Sequence, residues 1–343
     1  MTEAARRHHY VPACYLKHFA VPQDRFVGRL HAYDRMTGKA WPTTPDKSAH
    51  ERDFYRVDVE GEHANLAEGA YGALETRFAP TLANVVERGT LPKDSDVAMH
   101  ELFAFVASQA VRTPRIRETQ ERFHNDTAML YLHTLADNKD VFLREVRESE
   151  PGMSEADAEE MYQTHLEFLN AKGARIVMDQ TTLVRESLEW AGDIEDFLAM
   201  RSWILGVAPA DTMFITTDDP VHLVPSGRDA PKNPLWSPGF GDPYTNVVVP
   251  LSPRLMLMGL PYEFTARARV RLSRPDVASM NMDLAMSAYR FIYSTEPTFL
   301  HIGEDATVVD GPTAALLLPK EEPPTMADRL GFFTSPWPSR FAR

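Results

Sequence analysis

From Leu66 onward apolar residues recur with a helical period. Leu66, Leu74, Phe78, Leu82 and Val85 fall at helix-compatible spacings, which predicts an amphipathic helix with Glu75 at the margin of its apolar face. A second helix is expected from a cap at Asp94 or Ser95. Its face carries Leu102, Phe105, Val106, Gln109, Arg112 and Ile116, so two polar residues interrupt an apolar stripe. Pro114 predicts a kink or break, because proline removes a backbone donor and disfavours helical geometry at Thr113. Helices are then expected over 123–146, over 155–172 behind a Ser154/Asp157 capping pair, and over 180–191. A further short helix is expected through Trp203 and Leu205, after Gly192-Asp193.

Strand signals flank this helical run. Gly28 to Tyr33 reads as a strand, followed by a hairpin turn at Asp34–Lys39, and Phe54 to Val59 alternates as a third strand. After Gly206, Met213–Thr217 reads as a buried strand ended by Asp218-Asp219-Pro220, with Val221–Val224, Asn246–Pro250 and Arg254–Leu260 as further strands. Residues 276–292 predict a helix bearing Asn281 and Arg290. The Pro- and Gly-rich stretch 225–245, with Trp236, is expected to be a long loop suited to a lid.

The fold class is therefore α+β: an N-terminal strand-rich segment, a central helical bundle, and C-terminal strands and a helix packed back onto it. A single domain is expected over 1–320, with its helical core at about 65–205 and a Pro-rich tail over 321–343.

Composition narrows the compartment and the chemistry. With 43% apolar residues in 343 the chain can bury a substantial core, and its one cysteine, Cys14, excludes an internal disulfide and cysteine-rich zinc modules. The start is polar and no run approaches the ~18 apolar residues of a membrane span, so a cytoplasmic protein without membrane association is expected. A formal charge of −13 argues against an extended nucleic-acid surface. Local basic clusters at Arg112, Arg115 and Arg117, and at Arg267 to Arg274, still permit a small positive pocket. No P-loop, dinucleotide fingerprint, nucleophile elbow or HExxH spacing is present.

Three histidines, two tyrosines and the cysteine crowd into Arg7–Phe19. His9-Tyr10-Val11-Pro12, then Tyr15-Leu16 and Phe19-Ala20, are followed in order by Asp53-Phe54-Tyr55, Glu75, Gln109 with Arg112-Thr113-Pro114, Thr216 to Val221, Pro250-Leu251-Ser252-Pro253, and Asn281 ahead of Arg290. In these features the chain resembles a bacterial family known as domain of unknown function 4238, over roughly residues 8–295. It departs from the family at Ala13, often glutamine there, and at Thr217-Asp218-Asp219-Pro220, where the family reads Ser-Asp-Asn-Pro. The resemblance marks positions and implies no activity.

The candidate site gathers His9, Gln109, Arg112 and Asp219 as catalytic groups, with His9, Glu75 and Asp218 as ligands for a divalent metal, Mn, Zn or Fe. Histidine with carboxylates is the donor set of hydrolytic and oxidative metal sites, and an arginine beside them neutralises a phosphate or carboxylate. Each residue also has a structural reading: His9 as a hydrogen-bonding anchor of a Tyr-Val-Pro turn, Arg112 as a tie between its helix and Glu75 or Asp218, and Cys14 as a small buried apolar residue. Three functions follow. The first is a metal-dependent hydrolase, phosphodiesterase- or nuclease-like, acting on a small-molecule or phosphodiester substrate. The second is an iron-dependent oxidative enzyme with the same ligands. The third is a non-catalytic binding protein with a structural polar network. Oligomeric state is left open.

Overall fold

The computed structural model describes residues 7–23, 26–57, 64–93, 96–171, 174–226, 231, 237–261, 269–303, 305–311 and 316–317. It is α+β, with strands in both the N- and C-terminal parts. The chain divides into two compact units, Met1–Arg117 with Gln180–Lys320, and Glu118–Asp179 with Glu321–Arg343. The Pro-rich tail, much of the expected lid, and the caps at Asp94 and Ser95 lie outside the described residues.

In chain order the first unit opens with β1 (Arg7–His9), α1 (Ala13–Leu16), β2 (Val21–Gln23), β3 (Phe26–Asp34), β4 (Lys39–Thr43) and β5 (His50–Arg52). Helices α2 (Leu66–Arg88) and α3 (Val97–Val111) follow, and α4 (Pro114–Ala136) starts at the end of this stretch. The second unit comprises the rest of α4 with α5 (Lys139–Ser149) and α6 (Glu155–Asn170). Leu135, Phe142 and Tyr162 form its small core, and Ser154 caps α6 by accepting from the Asp157 backbone N–H (3.2 Å).

The first unit resumes with α7 (Gln180–Ala199), β6 (Ser202–Val207), β7 (Thr216–Thr217), β8 (His222–Pro225), β9 (Thr245–Ser252), β10 (Leu255–Leu260) and β11 (Arg269–Arg271). It ends with α8 (Arg274–Ser287), β12 (Phe291–Ser294), β13 (Leu300–Ile302) and β14 (Val308–Asp310). One sheet has the order β11-β6-β10-β9-β8; β11 runs parallel to β6 and the other pairs are antiparallel. A second, antiparallel sheet has the order β2-β3-β12-β7, with β4 paired to β3. Chain ends thus share a sheet: Tyr33 stands opposite Ile292. No described helix is long and apolar enough to cross a membrane.

Several local expectations change in the folded chain. Helix α3 is enclosed on all sides, every residue from Leu102 to Val111 being buried, so Gln109 lies in the core instead of on a stripe. Its end is marked by Arg112, whose backbone has left helical geometry (φ −104°), and α4 begins at Pro114, where a missing N–H costs nothing. Residues 54–57 are not a strand; Phe54 and Tyr55 lie inside a turn that starts at Asp53 (φ +55°) and is closed by the Arg56 N–H donating to the Asp53 carbonyl (3.1 Å). Helix α7 runs unbroken through Gly192, and Trp203 and Leu205 belong to β6. Of Met213–Thr217 only Thr216 and Thr217 pair as a strand. The Asn281 side chain replaces the ladder before them, accepting from Ile215 N–H (3.1 Å) and donating to the Met213 carbonyl (2.9 Å). Helix α8 stops at Ser287, and Arg290 stands outside it.

Candidate active site around Arg112

The N-terminal motif sits where it does because its own polar groups tie it down. His8 is fully buried and its Nδ1 accepts the Tyr55 backbone N–H (2.7 Å), with the two rings stacked at 5.8 Å. Tyr10 and Val11 both donate backbone N–H groups to the Ala49 carbonyl (2.9 and 3.4 Å). Tyr15 bonds Thr216 Oγ1 and donates to the Pro250 carbonyl, each at 2.6 Å, joining α1 to β7 and β9. The histidine and tyrosine beside the candidate residues are therefore framework.

On this framework rests a guanidinium that is 1% exposed. Arg112 Nη2 pairs with Glu75 Oε1 at 3.0 Å, and Nε donates to the Tyr10 carbonyl at 3.2 Å. With its amide oxygen turned inward, Gln109 accepts from Nη2 (3.1 Å) and Nε (2.8 Å). The Tyr71 ring lies 5.0 Å from the guanidinium carbon, and Tyr55 Oη donates to the Arg112 carbonyl (2.8 Å). Arg112 Nη1 has no hydrogen-bond partner among the described residues.

His9 joins this group through charge. Burial and the neighbouring His50, whose ring it meets edge-on at 5.4 Å, push its pKa down, while a hydrogen bond to the Asp46 backbone and the Glu75 carboxylate act the other way. Its Nε2 is buried and has no hydrogen-bond partner among the described residues. Cys14 is near enough to feel both Glu75 and Arg112, but burial first, then Glu75, raises its thiol pKa to about 11. It is not a nucleophile at neutral pH.

Asp218 and Asp219 form a different cluster. Asp218 accepts three backbone N–H groups, Tyr289 on Oδ1 (2.9 Å) and Arg290 and Phe291 on Oδ2 (both 2.8 Å). This is what draws the chain out of α8 and into β12. Asp219 pairs with Arg115 Nε at 2.6 Å and accepts from Thr113 Oγ1 at 3.4 Å. Burial raises both carboxyls, Asp218 to about 7 and Asp219 to about 6, against the lowering effect of those donors. Asp219 therefore touches the α3–α4 elbow one residue beyond Arg112, at Thr113 and Arg115, and does not pair with the Arg112 guanidinium.

The expected metal set does not assemble. His9 and Glu75 share the Arg112 site, Glu75 already committed to the guanidinium, while the Asp218 oxygens are taken by backbone. Among the described residues no three His, Cys, Asp or Glu side chains come together to hold an ion. These residues do not fit a metal centre of that composition, and the iron-dependent alternative needs the same three.

A family model described as "Protein of unknown function (DUF4238)" matches residues 7–298. The chain belongs to that family. No curated protein and no solved structure matches it. Every residue just placed around Arg112 lies within the DUF4238 match.

Two further members of the site were not singled out from the sequence, Glu68 and Tyr71. Both were visible in principle, since Glu68, Tyr71 and Glu75 stand at i, i+3 and i+7 on α2 and share one face. Tyr71 is 3% exposed and its hydroxyl, like Arg112 Nη1, has no hydrogen-bond partner among the described residues. A crevice walled by Tyr55, Tyr71, Arg112, Thr113, Arg117 and Ser187 borders these groups and is too narrow to admit a water molecule.

Proposed function

We infer that the chain is a phosphodiester hydrolase whose site is centred on Arg112. One observation carries the reading. Among the described residues His9, Tyr71 and Arg112 each bury a side-chain polar atom without a hydrogen-bond partner, Tyr71 lying against the Arg112 guanidinium and His9 feeling the Glu75 carboxylate that pairs with it. Unpaired buried donors are costly and rare, and where they cluster they mark groups waiting for a partner that the resting chain does not supply.

Arg112 Nη1 and Tyr71 Oη are both proton donors, a pairing suited to the oxygens of an anionic group. Burial raises the Tyr71 pKa, which keeps that hydroxyl protonated. Glu75 and Gln109 hold the guanidinium in one orientation through Nη2 and Nε. His9, whose pKa burial lowers, is the base that takes the proton of an attacking water. The water oxygen bonds to phosphorus, the ester P–O bond breaks, and the products are a phosphomonoester and an alcohol. No step passes through a metal.

The test is hydrolysis of bis(p-nitrophenyl) phosphate by the full chain, beside Arg112→Met and His9→Ala, with melting temperature as the folding control. Wild-type turnover lost in both folded variants supports the reading; turnover unaffected by Arg112→Met removes it.

A second reading, a structural network serving a binding protein, is favoured by the narrowness of the crevice and by the direct Arg112–Glu75 pair. On that reading Arg112→Met folds and every ligand response survives.

A further inference from the structure

A circuit of hydrogen bonds joins the two groups to which the hydrolase reading gives the chemistry, His9 and Arg112. The Tyr55 backbone N–H donates to His8 Nδ1 (2.7 Å), the Tyr55 hydroxyl donates to the Arg112 carbonyl (2.8 Å), and Arg112 Nε donates to the Tyr10 carbonyl (3.2 Å). The covalent stretch His8-His9-Tyr10 closes it. His9 is thus anchored at the residue before it and at the residue after it. Both anchors lead to Arg112, one directly and the other through Tyr55.

Tyr55 is placed to keep those ends still. It is 2% exposed, and its ring stacks on His8 (5.8 Å between centroids, planes 7° apart) and packs on Tyr71 at 4.7 Å. One side chain therefore touches β1, α2 and the α3–α4 elbow. The carbonyl it serves belongs to the residue that ends α3, where the last carbonyls of a helix lack an intrahelical donor. Satisfying that carbonyl fixes the backbone from which the guanidinium projects. Burial holds the Tyr55 pKa well above that of an ordinary tyrosine, so the hydroxyl stays a donor.

We propose that Tyr55 is a positioning residue, which through its backbone N–H and its hydroxyl sets the spacing between His9 and Arg112. The catalytic consequence rests on the phosphodiesterase reading; the spacing does not. A base and an anion-holding donor act on one phosphoryl group only while their separation is kept, and a displacement of about 1 Å costs up to ~100-fold in rate. Tyr55 moves no proton of the reaction and acts through the other two residues.

The experiment uses Tyr55→Phe in the full chain, which keeps the ring and opens the circuit at the hydroxyl. Val85→Ala, on the buried face of α2 near its C-terminal end, serves as a destabilised control outside the circuit. With bis(p-nitrophenyl) phosphate, kcat of Tyr55→Phe is expected to fall at least ~10-fold, with KM within about twofold of wild type, while Val85→Ala keeps the wild-type kcat. The Arg112 Nε–H resonance in ¹⁵N NMR, assigned by its loss in Arg112→Met, is expected to exchange with solvent at least ~10-fold faster in Tyr55→Phe than in wild type or Val85→Ala. An unchanged kcat or an unchanged Arg112 resonance in folded Tyr55→Phe, or an equal fall of kcat in Val85→Ala, overturns the assignment while the hydrolase stands. A wild type without turnover overturns the hydrolase reading and the catalytic part of Tyr55 with it. Should Tyr55→Phe not fold, His8→Phe opens the circuit at its other contact and must change both signals in the same sense for the assignment to hold.

Discussion

Arg112 and Glu75 meet at 3.0 Å across the α2–α3 interface, the arginine side chain fully enclosed and the glutamate 27% exposed. The asymmetry decides what each contributes. Glu75 faces partly outward and loses little on pairing, whereas Arg112 has given up all of its water and depends on its partners.

Glu75→Ala should therefore be costly out of proportion to its exposure. Breaking a buried pair leaves an uncompensated charge and costs ~3–5 kcal/mol, and the partial exposure of Glu75 places this case near the lower end, ~3 kcal/mol. Denaturant unfolding measures it. A loss under ~1 kcal/mol would show that the pair behaves like an exposed surface ion pair.

Arg112→Met removes charge and desolvation penalty together and should fold about as well as wild type. In a substrate site it abolishes turnover and phosphate binding, and Arg112→Lys recovers little, because a point charge cannot hold Glu75 and Gln109 in the planar geometry of a guanidinium. Calorimetry with inorganic phosphate on the folded variants reads the outcome.

Asp218 is expected to be a structural residue. Asp218→Asn sets an amide N–H₂ against at least one backbone N–H of Tyr289 to Phe291, costing ~1–3 kcal/mol for the donor left unsatisfied. Loss of activity should follow unfolding and appear nowhere below the melting transition. A stable Asp218→Asn protein without activity would return this residue to the site.

Stability should fall as pH rises through the range where Asp219 ionises. Its folded pKa is raised to about 6 from the ordinary 3.8 of an aspartate, so between these values the native state binds more protons than the unfolded state. That contribution is present below the unfolded value and lost as pH climbs through the folded one. The lowered pKa of His222, about 4, acts in the opposite sense. The difference between wild type and Asp219→Asn isolates the carboxyl: from pH 4 to 8 the variant should gain on wild type. A pH-independent difference would mean that Asp219 ionises normally in the fold.

Metal content gives an independent check. Since His9 and Glu75 lack a third described ligand, protein prepared without chelator should show the same Mn, Zn and Fe content in wild type and His9→Ala. Metal lost specifically in the variant, with activity lost in parallel, would restore the metal-dependent mechanism.

Much of this protein was determined by its sequence alone. Helical periodicity located α2 and α3, the Pro114 break, the hairpin at Asp34–Lys39 and the Ser154 cap, because these depend on neighbours a few residues away. The polar interruptions Gln109 and Arg112 were legible for the same reason. Tertiary structure decided which partners they took. Glu75 reached Arg112 and Asp218 did not, because three backbone N–H groups from a segment some seventy residues away had already claimed that carboxylate. Likewise α8 ended before Arg290, α7 ran through Gly192, and residues 54–57 left the strand register to place the Tyr55 N–H on His8. For α8 and for residues 54–57 a long-range hydrogen bond outweighed local propensity, which amounts to only tenths of a kcal/mol per residue for most side chains.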